Sequence, residues 1–290
     1  MSAKFKLQTE VKIDKTAIIS HESRFLLLGS CFAVNIGNRL LDNRFSGDVN
    51  PFGILFNPLS IANSLQRLLW GREFAEEEVF EHDGLWHSIF HHGEFSSPSI
   101  KKTLEKINAR FTVASTNLKE TDVLIITFGS SWVYLYNGQI VANCHKLPEN
   151  KFERKRLTIS EIVLVYKNLF ETLFKQNPNL NIILSVSPVR YFRDGAFDNS
   201  TNKATLLLAV EELVKIFEQV HYFPAYEIVL DELRDYRFYA EDMLHPSDFA
   251  QKIIWQRFAD ACFTDETKAL LPQIEKQNKM LAHRPFLTDN

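Results

Sequence analysis

The chain has few of the features that mark specialised classes of protein. Its 290 residues contain only three cysteines, Cys31, Cys144 and Cys262. These are too few and too scattered for a disulfide framework or a zinc ribbon, so we expect three separate reduced thiols. No apolar run reaches the roughly twenty residues that span a bilayer, and the N-terminus lacks the uninterrupted apolar stretch of a secretion signal. These absences predict a cytoplasmic protein with no membrane partner.

An excess of charge of one sign is also missing. The formal net charge is −3 and the pI is about 6.3. The densest group of basic residues, 151–156, is interrupted by an acidic residue, and we interpret it as a solvated loop. Without a block of lysine and arginine, the sequence does not support a nucleic-acid partner.

The chain has no low-complexity linker and no internal repeat, so a single domain over residues 1–290 is predicted. Apolar runs at 25–28, 122–127 and 181–187 read as buried strands, with a weaker strand at 223–230. Because segments with helical periodicity separate them, we predict an α/β fold with three α/β/α layers and a mostly parallel central sheet.

Two shorter segments add detail to that fold. Asn137 and Gly138 lie between aromatic and β-branched residues, which predicts an inserted β-hairpin. Residues 5–13 alternate between polar and apolar and predict an edge strand or an extended arm.

A group of histidines lies at positions 82, 87, 91 and 92. Their spacing matches no helical or finger-type pair of metal ligands, and no carboxylate partner is evident. We therefore expect a polar hairpin or flap here, with no metal site and no cofactor.

The segment FLLLGSCFA at residues 25–33 is the centre of the functional interpretation. Its apolar run predicts a strand, and Gly29 permits the tight turn after it. If a helix begins next, Ser30 and Cys31 lie at its first turn, where free N–H groups and the helix dipole stabilise an anion. This predicts a nucleophile turn, with a lowered pKa for the Cys31 thiol.

Polar residues come after the other two strands as well. Ser131 comes just after the second strand, in the run Gly-Ser-Ser, and Arg190 comes after the third. In a parallel sheet these strand ends form one ligand-binding edge. Asp242 and His245 lie three residues apart before a helix, a spacing that can place the carboxylate against the imidazole.

These residues carry a family resemblance. The run Leu-Leu-Leu-Gly-Ser-Cys-Phe-Ala resembles the signature of the GSCFA family, which is similar to the SGNH (GDSL-like) hydrolases, and Asp242 to Pro246 resemble the hydrolases' Asp-x-x-His-Pro block. The resemblance implies an SGNH-hydrolase-like fold. It places Cys31 on the nucleophilic serine and implies a triad of Cys31, His245 and Asp242. Ser30 remains the alternative nucleophile.

This sequence differs from the hydrolases at the residue that donates to the oxyanion. Ser131 stands where those enzymes carry the asparagine that donates to the oxyanion, and a serine hydroxyl is shorter. Candidates to replace that donor are Asn57, Asn143 and the backbone N–H of Gly53.

Two further positions have alternative interpretations. His145 and Lys146 come after the hairpin, and they either bind an anionic or carbohydrate substrate or form a polar strand end. Arg190 either clamps a carboxylate or phosphate or pairs with Asp194 or Glu227.

The combined features predict an ester hydrolase or acyltransferase acting on a small-molecule acyl ester, such as an acetylated carbohydrate. The alternative is a non-catalytic or weakly catalytic protein that binds a small molecule or carbohydrate in the same cleft. The acyl group, the acceptor and the oligomeric state are left open.

Overall fold

The computed structural model describes residues 9–282, which form ten strands and eight helices besides short helical turns. The strands are β1 (Arg24–Gly29), β2 (Ser46–Val49), β3 (Phe80–His82), β4 (Leu85–His87), β5 (Val123–Phe128), β6 (Trp132–Tyr136), β7 (Gln139–Val141), β8 (Glu153–Arg156), β9 (Asn181–Val186) and β10 (Val220–Phe223). The helices are α1 (Cys31–Asp42), α2 (Pro58–Trp70), α3 (Ile100–Lys119), α4 (Ile159–Gln176), α5 (Gly195–Ile216), α6 (Ala225–Glu227), α7 (Asp248–Cys262) and α8 (Asp265–Ala282).

Five strands form the central sheet, in the order β10-β9-β5-β1-β2, and every pair is parallel. The chain first adds β2 on one side of β1 and then adds β5, β9 and β10 on the other side. In such doubly wound sheets a crevice opens where the order reverses, at the carboxyl ends of the strands. The topology therefore places a candidate ligand site next to the ends of β1 and β5.

The sheet is buried on both faces because successive side chains of a strand point to opposite sides. Leu26 and Leu28 of β1 join a core that is shared with α2, α3, α4 and α5. Phe25 and Leu27 join a second core, which is shared with α1 and α7. The predicted three-layer α/β/α fold with a parallel central sheet is confirmed.

The predicted hairpin is present as β6 and β7, joined at Asn137 and Gly138, both of which have positive φ. The predicted solvated loop at residues 151–156 is wrong, because β8 pairs with β6 and makes a three-stranded antiparallel sheet. The guanidinium of Arg154 lies 3.8 Å from the ring centre of Trp132 and also pairs with Asp194. Cross-strand packing thus stabilises a strand that its charge alone disfavours.

The remaining segments agree with the expectations only in part. The histidine-containing segment forms the expected hairpin, β3 and β4, turning at Asp83 and Gly84. The last strand ends at Phe223, earlier than expected, and residues 225–232 are helical. Residues 9–13 form no strand, and the rest of the expected N-terminal arm lies outside the described residues. No helix within residues 9–282 has both the length and the apolar character needed to cross a membrane.

Candidate functional site

A cleft of about 580 Å³ lies at the carboxyl ends of β1, β5 and β9. It adjoins the reversal point of the sheet, where the topology favours a ligand site. Its walls come from the turns after these strands, from the start of α2, from the end of the hairpin and from the loop before α7. The lining residues are Ser30, Cys31, Phe56, Asn57, Gly129, Ser130, Trp132, Tyr134, Val141, Ala142, Asn143, Cys144, Ser187, Val189, Arg190, Tyr191 and His245.

The turn after β1 presents two adjacent side chains to this cleft. Gly29 is required there, because a Cβ atom would lie 2.5 Å from the carbonyl oxygen of Thr127 on the neighbouring strand. Ser30 is the N-cap residue of α1, and its buried hydroxyl has no hydrogen-bond partner within the described residues. Cys31 is the first residue of the helix and is partly exposed. Both candidate nucleophiles therefore lie at the positive end of α1.

The expectation of a lowered pKa for Cys31 is wrong. Burial raises the pKa of the Cys31 thiol, because it disfavours the charged form. The N–H groups of Phe32 and Cys31 and the positive charge of Lys203 oppose the rise, whereas the negative charge of Asp242 adds to it. Cys31 is thus predominantly a neutral thiol at neutral pH and needs a base to remove its proton.

Asp242 and His245 form a closed local pair in the loop before α7. One carboxylate oxygen of Asp242 accepts the backbone N–H groups of Leu244 and His245, at 2.9 and 3.0 Å. The other lies 2.6 Å from Nδ1 of His245. These hydrogen bonds hold the pKa of Asp242 at about 2. Because a carboxylate only accepts, Nδ1 must carry the proton, which leaves Nε2 free to act as a base.

The cleft brings His245 together with Ser30 and Cys31. Within the described residues, His245 forms a hydrogen bond with Asp242 but none with either candidate nucleophile. Contacts between a base and its nucleophile are often long before substrate binds and shorten only in the complex. The backbone N–H of Arg190 donates to the carbonyl of Leu244 at 3.2 Å, which ties the His245 loop to the turn after β9.

Two of the expected oxyanion donors are occupied elsewhere. Ser131 is fully buried, and both its N–H and its hydroxyl donate to Oδ1 of Asn202, at 2.6 and 2.7 Å. The N–H of Gly53 donates to the carbonyl of Asn50 in a tight turn at 2.8 Å. A Cβ atom on Gly53 would lie 2.3 Å from Cβ of His92, so packing accounts for this glycine. Neither Ser131 nor Gly53 lines the cleft.

The other two donor candidates do line the cleft. Oδ1 of Asn57 caps α2 by accepting the N–H of Ser60 at 2.8 Å, and its Nδ2 donates to the hydroxyl of Ser60 at 2.9 Å. Oδ1 of Asn143 accepts the N–H of His145 at 2.8 Å. Because backbone N–H groups occupy both amide oxygens, the NH₂ group of Asn143 is left to donate, whereas Asn57 has one N–H left besides the one that Ser60 accepts.

The structure does not bring His145 and Lys146 to the cleft. The ring of His145 is buried against the β3–β4 hairpin, where Nε2 lies 2.8 Å from the carbonyl oxygen of Ser88 and the ring centre lies 4.5 Å from that of His87. Burial lowers the pKa of His145 to about 4, so the ring is neutral at neutral pH. Lys146 is exposed.

Arg190 lines the cleft without a carboxylate partner among the described residues. Asp194 pairs with Arg154, at 2.9 Å between Oδ1 and Nη1. Both carboxylate oxygens of Glu227 accept the hydroxyl of Tyr222, at 2.9 and 2.7 Å. The Arg190 guanidinium instead lies 4.7 Å from the ring centre of Phe192, so its charge is available to a ligand.

One sequence family matches residues 24–258, which is most of the chain and includes the strand, the nucleophile turn and the Asp242–His245 pair. The chain belongs to the GSCFA family. The resemblance of residues 26–33 to the GSCFA signature is thereby confirmed. No curated protein matches this GSCFA chain.

Several solved structures are distantly similar to the GSCFA chain. A protein of Streptococcus pneumonia named for platelet activating factor is 10% identical, with 84% of this chain and 85% of that one covered and a TM-score of 0.45. The Clostridium thermocellum family 3 carbohydrate esterase is 11% identical, with 88% and 99% covered and a TM-score of 0.39. A family 3 carbohydrate esterase from Talaromyces cellulolyticus is 8% identical, with 88% and 99% covered and a TM-score of 0.38. Similarity this distant carries no argument about the reaction of this chain.

The structure of the GSCFA chain also reveals polar residues that the sequence interpretation missed. Asn199, Asn202 and Lys203 are 0–1% exposed on the inner face of α5. Oδ1 of Asn199 accepts the N–H of Tyr191 at 2.8 Å, and Asn202 and Lys203 likewise bind turns around the cleft. The sequence did contain a signal for them. These three residues lie at helical spacing from Leu206, on the same face of α5 and nearer to the start of the helix. No group of three or more histidine, cysteine or acidic residues within 9–282 is arranged to hold a metal ion.

Proposed function

We propose that this GSCFA chain is an ester hydrolase or acyltransferase in which Cys31 attacks, His245 transfers protons and Asp242 orients His245. One observation carries the proposal: among residues 9–282, the Asp242–His245 pair leaves Nε2 without a hydrogen-bond partner in the same cleft as a thiol at a helix N-terminus. Acyl transfer needs these parts together, namely a nucleophile, a base and a group that holds the base in the right tautomer.

In the first half of the reaction, Nε2 of His245 removes the thiol proton as Sγ of Cys31 attacks the ester carbonyl carbon. The carbonyl π electrons move to oxygen and form a tetrahedral oxyanion. When that oxyanion collapses, the ester C–O bond breaks and the departing alkoxide takes the proton from His245. The products of this half are an alcohol and a thioester on Cys31.

In the second half, water or an acceptor alcohol attacks the thioester while His245 takes its proton. Collapse of the second oxyanion breaks the C–S bond and returns the proton to Sγ of Cys31. Water gives a free acid, and an acceptor alcohol gives a new ester. No cofactor takes part in either half.

Asn57 and Asn143 are the proposed donors to the oxyanion in both halves. They are preferred to Ser131 and Gly53, whose donors are all bound within the protein, because the NH₂ group of Asn143 and the second N–H of Asn57 are left to donate. An amide NH₂ that is held by its own oxygen needs little reorganisation when charge develops on the substrate.

The cleft walls favour a polar substrate with flat faces and negative charge. Trp132, Tyr134 and Tyr191 offer aromatic surface, and Arg190 offers a guanidinium that no carboxylate of the described part of the chain pairs with. An acylated carbohydrate that carries a carboxylate or a phosphate fits these features, because sugar rings pack on aromatic faces and arginine binds both anions bidentately.

The test begins with turnover of para-nitrophenyl acetate and of acetylated monosaccharides. We expect acetate release by the wild-type protein, and intact-mass spectrometry of a quenched reaction should show one acyl group per chain. His245→Gln should lower kcat by about a thousandfold or more. The matched control is His221→Gln, which removes a histidine that does not line the cleft. Equal rates for the two variants would refute the role of His245.

The identity of the nucleophile needs its own experiment. Peptide mapping of the trapped acyl group should place it on Cys31, and Cys31→Ala should abolish the adduct while Ser30→Ala retains it. An adduct that persists in Cys31→Ala and disappears in Ser30→Ala would make Ser30 the attacking residue. Labelling with iodoacetamide and with a fluorophosphonate should give the same assignment.

The second candidate function is binding without turnover. The raised pKa of Cys31 and the absence of a direct bond from His245 to Cys31 or Ser30 within the described residues favour it. A binding protein would retain acetylated sugars in equilibrium dialysis, would show no acyl adduct and would bind as well after His245→Gln. Detection of the adduct on the wild-type protein excludes this function as the sole one.

A further inference from the structure

A second cleft, the β2 cleft, lies at the edge of the central sheet and has a volume of about 530 Å³. Its walls come from α1, from β2 and the segment after it, from the turn at Glu94 and from α3. No described residue lines both this cleft and the candidate active site. The β2 cleft is therefore a separate concave surface, and its volume falls within the range of about 300–1,000 Å³ that is typical of small-molecule sites.

One buried side chain that lines the β2 cleft has a donor without an acceptor. Asn50 is 8% exposed, and its Oδ1 accepts the N–H of Gly29 at 2.8 Å. Because a backbone N–H can only donate, the amide atom that faces Gly29 must be the oxygen, which places the NH₂ group on the other branch of the amide. Nδ2 of Asn50 is buried and has no hydrogen-bond partner within the described residues. A buried donor in this state is costly and calls for an explanation.

The structural role of Asn50 does not use that donor. Its φ angle is +46°, a conformation that asparagine tolerates better than most residues. Its N–H donates to the carbonyl of Leu27, and its carbonyl accepts the N–H of Gly53, both at 2.8 Å. Together with the bond to Gly29, these contacts hold the turn after β2 against β1. The fold thus accounts for the other polar atoms of Asn50 and leaves Nδ2 for a ligand.

The charges around the β2 cleft indicate the class of that ligand. The buried carboxylate of Asp48 accepts Nη1 of Arg110 at 2.7 Å and Nδ2 of Asn117 at 3.3 Å, so the charge of Arg110 is already neutralised. The exposed carboxylate of Glu94 also lines the cleft and disfavours an anion. An ammonium group is unsuitable as well, because it cannot accept a hydrogen bond from Asn50. An uncharged hydroxyl group both accepts from an amide and donates to a carboxylate.

The rest of the wall is apolar, with Val34, Val49 and Ile54 among its residues. A sugar ring carries hydroxyl groups at its edge and C–H groups on its faces, so it matches a wall that combines apolar surface with a few polar groups. We propose that the β2 cleft binds a small uncharged polyhydroxylated ligand of the monosaccharide class, with a hydroxyl oxygen that accepts from Nδ2 of Asn50. This site lies outside the candidate active site and does not depend on the proposed ester chemistry.

The experiment is a titration of ¹⁵N-labelled protein with D-glucose, D-galactose and N-acetyl-D-glucosamine, followed by ¹H–¹⁵N correlation spectra. The side-chain amide signal of Asn50 is identified by its loss in Asn50→Asp, which keeps an oxygen for the N–H of Gly29. At least one sugar should shift this signal saturably in the wild type. Asn50→Asp should bind that sugar at least about tenfold more weakly, as measured from backbone signals of the β2 cleft. Asn168→Asp makes the same change at an exposed position of α4 and should bind like the wild type.

A second variant applies if Asn50→Asp does not fold. Val113 lines the β2 cleft from α3 and is 53% exposed, so a larger side chain there leaves the hydrogen bonds of Asn50 intact. Val113→Trp should fill part of the cleft and abolish the saturable shift. Leu164→Trp adds bulk at an exposed position of α4 outside the cleft and should retain the shift.

Several results would overturn the proposal. One is the absence of a saturable shift of the Asn50 amide with all three sugars, and another is equal affinity of the wild type and Asn50→Asp. Shifts confined to residues of the candidate active site, such as the indole N–H of Trp132, would place the sugar there alone. Saturable shifts of the Asn50 amide with sodium acetate or methylammonium chloride, but with none of the sugars, would refute the uncharged class of ligand.

Discussion

Two strands of the central sheet end in nearly the same sequence but lead into turns with different hydrogen bonding. After β1 the chain reads Gly29-Ser30-Cys31, and after β5 it reads Gly129-Ser130-Ser131. At the β5 turn the N–H groups of Gly129 and Ser130 both donate to the carbonyl of Phe56, at 2.8 and 2.9 Å. At the β1 turn the hydroxyl of Ser30 has no partner within the described residues, and Cys31 lines the cleft.

The difference arises from the element that each turn enters. The β1 turn leads into α1, whose first N–H groups have no partners within the helix. The β5 turn leads into β6 and lies against α5, where Asn202 accepts from both the N–H and the hydroxyl of Ser131. A strand followed by a glycine and a hydroxyl residue therefore marks a turn, and the surrounding hydrogen bonds decide whether the hydroxyl of that turn is left unbonded or is closed into the structure.

Replacing the key side chain of each turn should produce the largest contrast. Cys31→Ala should lower kcat/KM for para-nitrophenyl acetate by at least about a thousandfold, because it removes the attacking atom. Ser131→Ala should leave kcat/KM within a few-fold of the wild type and lower the free energy of unfolding by about 1 kcal/mol. A large kinetic loss in Ser131→Ala would show that the β5 turn also takes part in the reaction.

The next contrast concerns the oxyanion donors. Asn143→Asp keeps an oxygen that can accept the N–H of His145, but it loses the NH₂ donor and adds a negative charge. We expect kcat to fall about a hundredfold or more. Asn63→Asp adds the same charge on α2 outside the cleft and serves as the control. Similar kcat values for the two variants would exclude Asn143 as a donor.

The closed network at the β5 turn can be opened from α5. Asn202→Leu leaves the buried N–H and hydroxyl of Ser131 without their acceptor, although it also removes the unpartnered Nδ2 of Asn202. The free energy of unfolding should fall by about 2 kcal/mol, as measured by urea denaturation. Asn168→Ala changes an exposed asparagine of α4 and should stay within about 0.5 kcal/mol of the wild type. Equal stability of the two variants would contradict the structural role of Asn202.

The smallest expected effect is a change in KM, which compares Arg190 inside the cleft with Lys146 outside it. Arg190→Gln should raise KM for para-nitrophenyl hemisuccinate about tenfold relative to the acetate ester, because the guanidinium would bind the free carboxylate. Lys146→Gln removes a charge that the structure places outside the cleft, and the ratio of the two KM values should not change. If Lys146→Gln changes that ratio as much as Arg190→Gln does, long-range charge rather than contact governs substrate preference.

Much of the fold could be predicted because its signals are local. The apolar run of β1, the helical periodicity of α4 and the Asn-Gly turn at residues 137 and 138 all have short-range causes. β2 was missed because its first three residues, Ser46, Gly47 and Asp48, give no strand signal, and the strand exists by pairing with β1. β8 was missed because its charged residues are stabilised by β6 and by packing of Arg154 on Trp132.

The parts of the candidate site that depend on short-range spacing could likewise be predicted, and the parts that depend on distant contacts could not. Short-range spacing indicated the Asp242–His245 pair, since three residues suffice to close that hydrogen bond. Sequence spacing could not distinguish Asn143 from His145, which follows it by two residues. Asn143 lines the cleft, whereas His145 is buried against the β3–β4 hairpin. That outcome depends on the backbone at residues 145 and 146, where both φ angles are positive.

The amino-acid order alone determined the long central strands, the turn at Gly29 and the acidic partner of His245, because periodicity, glycine geometry and short contacts act within a few residues. Tertiary structure alone decided which turn lines the cleft with side chains left unbonded and which is closed by hydrogen bonds. Burial raised the pKa of Cys31, Asn202 closed the network around Ser131, and Lys203 came to bind the carbonyl groups of Gly129 and Ser187. Desolvation and long-range hydrogen bonds depend on which distant residues meet, and that information exists only in the folded chain.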